Sequence, residues 1–107
     1  MRIEIKPLSV NQCFQGRRFK NKKYKSYEKE LLLLLPKVKI DFKRDLRVDL
    51  TFGFSSTLSD IDNPLKPLLD VLQKKYGFDD KQIQELNVKK EIVKKGEEFI
   101  KLNINEI

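Results

Sequence analysis

The sequence predicts an α+β fold, a mixed β-sheet carrying two helices, and three patterns predict it. Leu46, Val48, Leu50, Phe52 and Phe54 alternate with polar residues, the period of a strand with one buried face. Leu65, Leu68, Leu69, Leu72 and Tyr76 recur at the spacing of one helix face. Alternation returns from Ile83 to about Val93, and again at Ile100, Leu102 and Ile104.

Taken in order, Ile3 and Ile5 alternate with charged residues and predict a short first strand that Pro7 ends. Residues 8–25 show no sustained period and hold most of the bases, so they read as a loop or arm. Ser26 can cap a first helix, with Glu28 and Glu30 placed to favour its N-terminal dipole. Leu31–Leu35 continues that helix, and Pro36 disfavours helical geometry at Leu35. Val38, Ile40 and Phe42 suggest a short edge strand before the clear strand at residues 45–54. Residues 55–59 read as a loop. The second helix starts near Asn63 or Pro64, with Asn as cap and Pro in the first turn, and Gly77 closes it. Lys95-Gly96-Glu97 reads as the hairpin turn of a final strand-turn-strand. The resulting order is β-α-β-α-β-β in a single domain, residues 1–107, with no repeat or linker.

Composition narrows the chemistry. The net charge is +7, and residues 1–26 carry eight bases against one acid, so the excess lies in the first quarter. A localised positive field suits a polyanion, nucleic acid above all, where a scattered one would suit an ordinary lysine-rich surface. There is one cysteine, Cys13, and no histidine. Disulfides within the chain, cysteine zinc sites, Ser-His triads and histidine-bound metals are thereby excluded. Catalysis is left to carboxylates, lysines and a hard metal ion held by oxygen, such as Mg²⁺, Mn²⁺ or Ca²⁺. The N-terminus has no apolar signal region, and the longest apolar run, Leu31–Leu35, is too short to span a bilayer. The expectation is a cytoplasmic protein with no membrane partner. Hydrophobic residues make up 39%, a thin core that a dimer interface would support.

The chemistry-bearing segment is Ser59-Asp60-Ile61-Asp62-Asn63-Pro64-Leu65-Lys66. In an extended stretch, Asp60 and Asp62 share a side, and a divalent cation offsets their repulsion. Lys66 stands four residues beyond Asp62 and shares its face if both are helical. Paired acids plus a lysine suit attack on a phosphodiester: the cation supplies an activated water, and the lysine neutralises developing charge. Taken alone, D-x-D also describes a solvated turn before a helix. The second cluster, Asp79-Asp80-Lys81-Gln82, also describes a polar loop. Glu28, Glu30 and Asp70 read as surface charges.

Together these residues resemble a known family. Asp60-Ile61-Asp62-Asn63, Lys66, Asp70, Gly77 and Asp79-Asp80-Lys81-Gln82-Ile83 look like the signature of RusA-type Holliday junction resolvases, D-x-D-N-x-x-K followed by D-D-x-Q-V. Pro7-Leu8-Ser9-Val10-Asn11 resembles the family's P-P-S-x-N segment, and the terminal strands fit a RusA-like fold. Ser59 stands where the family often has Arg, and only Phe78 separates Gly77 from Asp79. The resemblance implies a homodimeric, bacterial or prophage endonuclease acting in recombination and repair. It would bind DNA four-way junctions and cut them in pairs with Mg²⁺, or alternatively Mn²⁺, leaving a 5′-phosphate. It implies Asp60, Asp62 and Asp80 as metal-binding acids, Asp79 as a neighbouring acid that shares or supports that role, and Lys66 as the catalytic lysine.

Asn11, Arg17, Arg18, Lys20, Lys22, Lys23 and Lys25 are the expected DNA-binding residues. Phe14, Phe19, Tyr24 and Tyr27 interleave with the bases and suit stacking on unpaired nucleobases, although core packing is the better expectation for Tyr27. A helix over residues 64–76 is roughly 20 Å long, which separates Asp62 from Asp80. Either the chain doubles back after Gly77 or a partner subunit supplies the second pair. The main rival is a non-catalytic nucleic-acid-binding module with a basic N-terminal arm. A prophage structural protein, and a nuclease acting on flaps or forks, are further alternatives.

Overall fold

The alternation along residues 46–54 places one central strand, and the remaining elements are arranged around it. The computed structural model describes the backbone of residues 1–12, 14–15 and 19–107, and side chains at residues 1–11 and 21–107. The strands are β1 (Arg2–Ile3), β2 (Phe14–Gln15), β3 (Phe19–Lys20), β4 (Leu46–Phe54), β5 (Ile83–Ile92) and β6 (Phe99–Glu106). The helices are α1 (Lys22–Leu34) and α2 (Leu65–Tyr76). A four-stranded mixed sheet has the order β1-β6-β4-β5, and β2-β3 form a separate antiparallel pair. β4 pairs antiparallel with β6 and parallel with β5.

Register brings the apolar residues to one face. Val48, Leu50 and Phe52 stand opposite Ile104, Leu102 and Ile100 of β6, and Ile3 of β1 stands opposite Ile100. All of these are buried. Both helices cover this face: α1 buries Tyr24, Tyr27 and Leu31, and α2 buries Pro67, Leu68, Val71 and Leu72. Among the described residues no helix covers the opposite face, which is largely polar, with Asp49 accepting from Asn87 Nδ2 at 2.8 Å and from Arg47 Nε at 3.3 Å. Each leucine fully withdrawn from water contributes about 1.5–3 kcal/mol, so this single two-layer core is the main source of stability. No helix among the described residues is long and apolar enough to cross a membrane.

The α+β class and the two-helix mixed sheet agree with the sequence reading, and four local expectations are corrected. First, α1 begins at Lys22, capped by Asn21, whose Oδ1 accepts the Tyr24 N–H at 3.0 Å, rather than at Ser26. Tyr24 belongs to the same stripe as Tyr27 and Leu31, so burying it carries the helix one turn further back. Residues 8–25, read as a loop or arm, thus include the first residues of α1 as well as a 3₁₀ turn at Val10–Gln12 and the β2-β3 pair.

Second, no strand forms at residues 38–42. Both sides of β4 are already taken by β5 and β6. Phe42 instead stacks on Tyr76, with ring centroids 5.0 Å apart, and on Phe78 at 6.0 Å. Third, the Lys95-Gly96-Glu97 turn exists, with Glu97 N–H on Lys94 O at 2.9 Å and Gly96 at φ 93°. It does not close a hairpin, because β5 and β6 lie on opposite sides of β4. Fourth, Asn63 does not cap α2: Pro64 holds the cap position without a side-chain bond, and the Asn63 amide turns to Asp60. The expected Gly77 cap is present, left-handed at φ 72° with its N–H on Gln73 O.

Gly53 faces Phe99 in register, and a Cβ there would overlap the Phe99 ring. That ring is buried, with the Arg2 guanidinium 3.9 Å from its centroid. We expect Gly53→Ala to lower stability by about 1–3 kcal/mol through overpacking, and Phe99→Leu to recover part of that loss in the double variant. Urea unfolding of the three variants measures this, and an unchanged Gly53→Ala midpoint would show that the ring yields at no cost.

Candidate active site

The two acid clusters lie at the two ends of α2. At its N-terminal end the chain leaves β4 at Phe54 and bends through residues 61–64 instead of running extended, so the same-side argument for Asp60 and Asp62 does not apply to this backbone. Three contacts hold the loop. Asn63 Nδ2 donates to Asp60 Oδ2 at 3.2 Å, and Lys90 Nζ of β5 donates to the Ser59 carbonyl at 2.8 Å. The Val10 N–H donates to the Asn63 carbonyl at 2.8 Å, joining the Pro7–Asn11 segment to the Asp60-x-Asp62-Asn63 loop. The Asp62 carbonyl accepts the Leu65 N–H at 3.1 Å and opens α2, while both aspartates remain exposed. Lys66 is on the helix but Asp62 precedes it, and Lys66 Nζ pairs with Asp70 Oδ1 at 3.0 Å. Asp70, read as a surface charge, is thus the residue that orients the lysine.

At the other end, Asp79 and Gln82 form a reciprocal cap. The Asp79 carboxylate accepts the Lys81 N–H at 3.0 Å, and Gln82 Oε1 accepts the Asp79 N–H at 2.9 Å. The Lys81 N–H is the main reason that the Asp79 carboxyl is held below its usual range. Gln82 Nε2 also donates to the carbonyls of Phe42 at 2.7 Å and Arg44 at 2.8 Å. Asp80 is exposed and fixed through its backbone, whose N–H donates to Gln73 Oε1 at 3.0 Å, and its side chain bonds to that of Asp79.

These acids form two separate clusters. All their donors are carboxylate oxygens, the right chemistry for a hard divalent cation. The 12 residues of α2 extend about 18 Å between the clusters. Among the described residues, no group of three or more acidic, cysteine or histidine side chains comes together to hold a metal ion. The donor chemistry therefore fits such an ion, and among the described residues the two acid clusters do not meet within the chain.

The expected DNA-binding residues divide three ways. Lys22, Lys23 and Lys25 are exposed at the start of α1. Asn11 is exposed in the 3₁₀ turn, with its N–H on Ser9 Oγ at 3.2 Å. Arg17 and Arg18 lie outside the described residues, as do the side chains of Lys20, Phe14 and Phe19. Tyr24 and Tyr27 are only 2% and 5% exposed, so both belong to the core and are not presented for base stacking.

Sequence reasoning missed a cleft of about 350 Å³ beside Asp60. Its polar lining includes Lys6, Ser55, Ser56, Asn63 and Glu98. No local motif signals it, because the segment after β1, the β4–α2 loop and the residue before β6 are far apart in sequence and meet only through the fold. It also missed Lys90, an unremarkable residue of a lysine-rich strand.

The protein-family profile described as Endodeoxyribonuclease RusA matches residues 7–104. No curated protein is matched by the chain.

Gln82 links three segments, so Gln82→Ala leaves backbone groups of Phe42, Arg44 and Asp79 without this partner. The expected cost is about 1–3 kcal/mol, measured by denaturant unfolding. Asp79 provides a pH test. Its carboxyl is lowered in the fold, so its contribution is complete above the ordinary value of 3.8 and is lost as pH falls through the folded value. Asp79→Asn should therefore lower stability in the neutral region, where the ionised carboxylate contributes fully, and flatten the acid limb so that the variant and wild-type profiles converge at low pH, as read by denaturant unfolding across pH.

Proposed function

The chain belongs to the RusA family of endodeoxyribonucleases, which resolve Holliday junctions by cutting phosphodiester bonds, and from that premise we propose a Mg²⁺-dependent homodimer whose sites are each built from two subunits. Family membership sets aside the non-catalytic binding module. One observation carries the shared site: β5 runs from one acid cluster to the other. It begins at Ile83, directly after Asp79 and Asp80. It ends with Ile92 opposite Phe54, where Lys90 holds the loop of Asp60.

β5 is also an edge strand, paired on one side only among the described residues. Long edges of this kind are templates for a further strand. Leu86 and Ile92 on it are 40% and 48% exposed, apolar surface that a second copy would cover. Antiparallel pairing of two β5 edges about a two-fold axis sets the start of one strand against the end of the other. Asp80 of each copy then lies at the Asp60–Asp62 loop of the other.

In this reading Asp60, Asp62 and Asp80 hold the ion. Asp80 is preferred over Asp79 because the Asp79 carboxylate is engaged in its cap with the Lys81 N–H, while Asp80 is exposed beside it and makes no cap bond with its side chain. Asn63 orients Asp60, and Asp70 holds Lys66 where it can offset charge on the phosphate or leaving oxygen. When bound, Mg²⁺ supplies a water of lowered pKa and neutralises phosphate charge. Asn11, Lys22, Lys23 and Lys25, together with Arg17, Arg18 and Lys20, contact the backbones of the duplex arms. The setting is recombination and repair in the cytoplasm of a bacterium or its prophage.

The primary test is cleavage of a synthetic four-way junction against linear duplex, with and without Mg²⁺, for wild type and Asp62→Asn. Junction cutting that requires Mg²⁺ and fails in the variant is the expected result; equal cutting of linear duplex would contradict junction selectivity. Mixing Asp60→Asn with Asp80→Asn chains tests the shared site, since each mixed dimer regains one complete acid set and nicks the junction. No recovery despite subunit exchange would place each site within one chain. Replacing Lys22, Lys23 and Lys25 with Ala should flatten the dependence of junction affinity on salt by close to one counterion per lysine in phosphate contact.

A further inference from the structure

The cleft beside Asp60 contains a carboxylate that phosphodiester cutting does not use. Glu98, at the start of β6, is half-buried and lines the same cleft as Asp60. It is held at both oxygens: Ser55 Oγ donates to Oε2 at 2.9 Å, and the Gly96 N–H donates to Oε1 at 2.8 Å. A carboxylate offers about four acceptor positions, so the group retains acceptor capacity toward the cleft. Its own backbone N–H, Ser55 and Lys6 all hold it in the ionised form. It is a fixed acceptor with no proton to donate.

Charge identifies what such a cleft accepts. Among the described lining residues Lys6 is the one cation, against the carboxylates of Asp60 and Glu98. A phosphate placed against Glu98 would meet a like charge, so the backbone anion belongs on the metal side, at Asp60. A hydrogen-bond donor belongs at Glu98. The donors next to a cut phosphodiester are nucleobase N–H groups: exocyclic amino groups on cytosine, adenine and guanine, and ring N–H groups on guanine and thymine. The volume, about 350 Å³, is at the small end of ligand pockets, which run roughly 300–1,000 Å³. Bases at a branch point are the least costly to unstack, and an unstacked base needs a pocket.

Resting on the junction-cutting reading above, we infer that this cleft is a nucleobase subsite beside the cut, in which Glu98 accepts a hydrogen bond from the exocyclic amino group of an unstacked base. Ser55 is its positioning residue, because the hydroxyl fixes the carboxylate. The pair therefore contributes to choosing where in a junction the enzyme cuts, a role separate from metal binding.

The experiment uses junctions identical except at the bases flanking the cut. Each carries either cytosine or 2-pyrimidinone, which differs from cytosine only in lacking the amino group. Affinity is measured without added metal, and cutting rate with Mg²⁺. Wild type should favour cytosine at one flanking position about 5- to 100-fold, the discrimination expected of a good base contact. Glu98→Ala should erase that ratio in both measurements while still cutting junctions with wild-type Mg²⁺ dependence. Ser55→Ala should reduce the ratio part of the way. A ratio unchanged in Glu98→Ala, or no ratio in wild type at any flanking position, would overturn the subsite and leave the nuclease intact. Loss of junction cutting in wild type itself would overturn the functional reading beneath it.

Discussion

Parallel pairing between β4 and β5 is the constraint on which the site depends. Two parallel neighbours cannot be joined by a tight turn, so the chain must return along the sheet between them. Here that return is α2, packed by Leu68, Val71 and Leu72 onto the sheet face that β4 lines. One acid cluster is the entry to this crossover and the other is its exit. The same packing that stabilises the core therefore keeps the two clusters apart within a chain. Any site that needs both must draw on β5, which traverses the sheet between them and leaves an edge open.

Precision at the two clusters comes from side chains that bond to distant main chain. Gln82 reaches the carbonyls of Phe42 and Arg44, and Lys90 reaches the carbonyl of Ser59. Val10 joins the N-terminal segment to Asn63. Each such bond contributes only about 0.5–1.5 kcal/mol net, but each fixes a loop relative to the sheet. The four aspartates themselves remain exposed, as the proposed binding of a cation would require. Rigid supports under solvated ligands are what preorganisation requires, since ordering the loops at binding would cost affinity.

Much of the architecture was legible because periodicity reports which face of an element is buried. Alternation located β4, β5 and β6, and helical spacing located α2 together with its glycine cap. Periodicity does not report partners. It could not show that β5 and β6 flank β4 instead of pairing with each other, because a turn with Gly96 looks the same in either topology. The alternation at Val38, Ile40 and Phe42 was real but serves an aromatic stack on Tyr76 and Phe78, for which there is no short-range signal. Tyr24 was hidden among lysines, so its place in the core and the true start of α1 were missed together. At the site, the acids and Lys66 were visible as sequence neighbours. Asp70 as the partner of Lys66 follows from helical spacing that was available to read. Glu98 and Lys90 become neighbours of the Asp60 loop only through strand register, which no local pattern encodes.

The placement of charge on α1 runs against what helix stability alone favours. The first turn of a helix favours acids, because unsatisfied N–H groups leave it partly positive. α1 opens instead with Lys22, Lys23 and Lys25 and has no acid in that turn. None of the three lysines takes part in the ion pairs among the described residues. The nearest acid on the helix, Glu28, is turned toward Lys74 of α2 at 2.7 Å, where it ties the two helices together. Each misplaced charge costs roughly 0.3–1 kcal/mol at low salt, an amount that the buried Tyr24, Tyr27 and Leu31 can offset. What the arrangement gains is a helix end whose dipole and side chains have the same sign, next to the basic segment before it. Under the proposed function these contributions would add against a DNA backbone, so that a local penalty in the free protein would become attraction once phosphates are present.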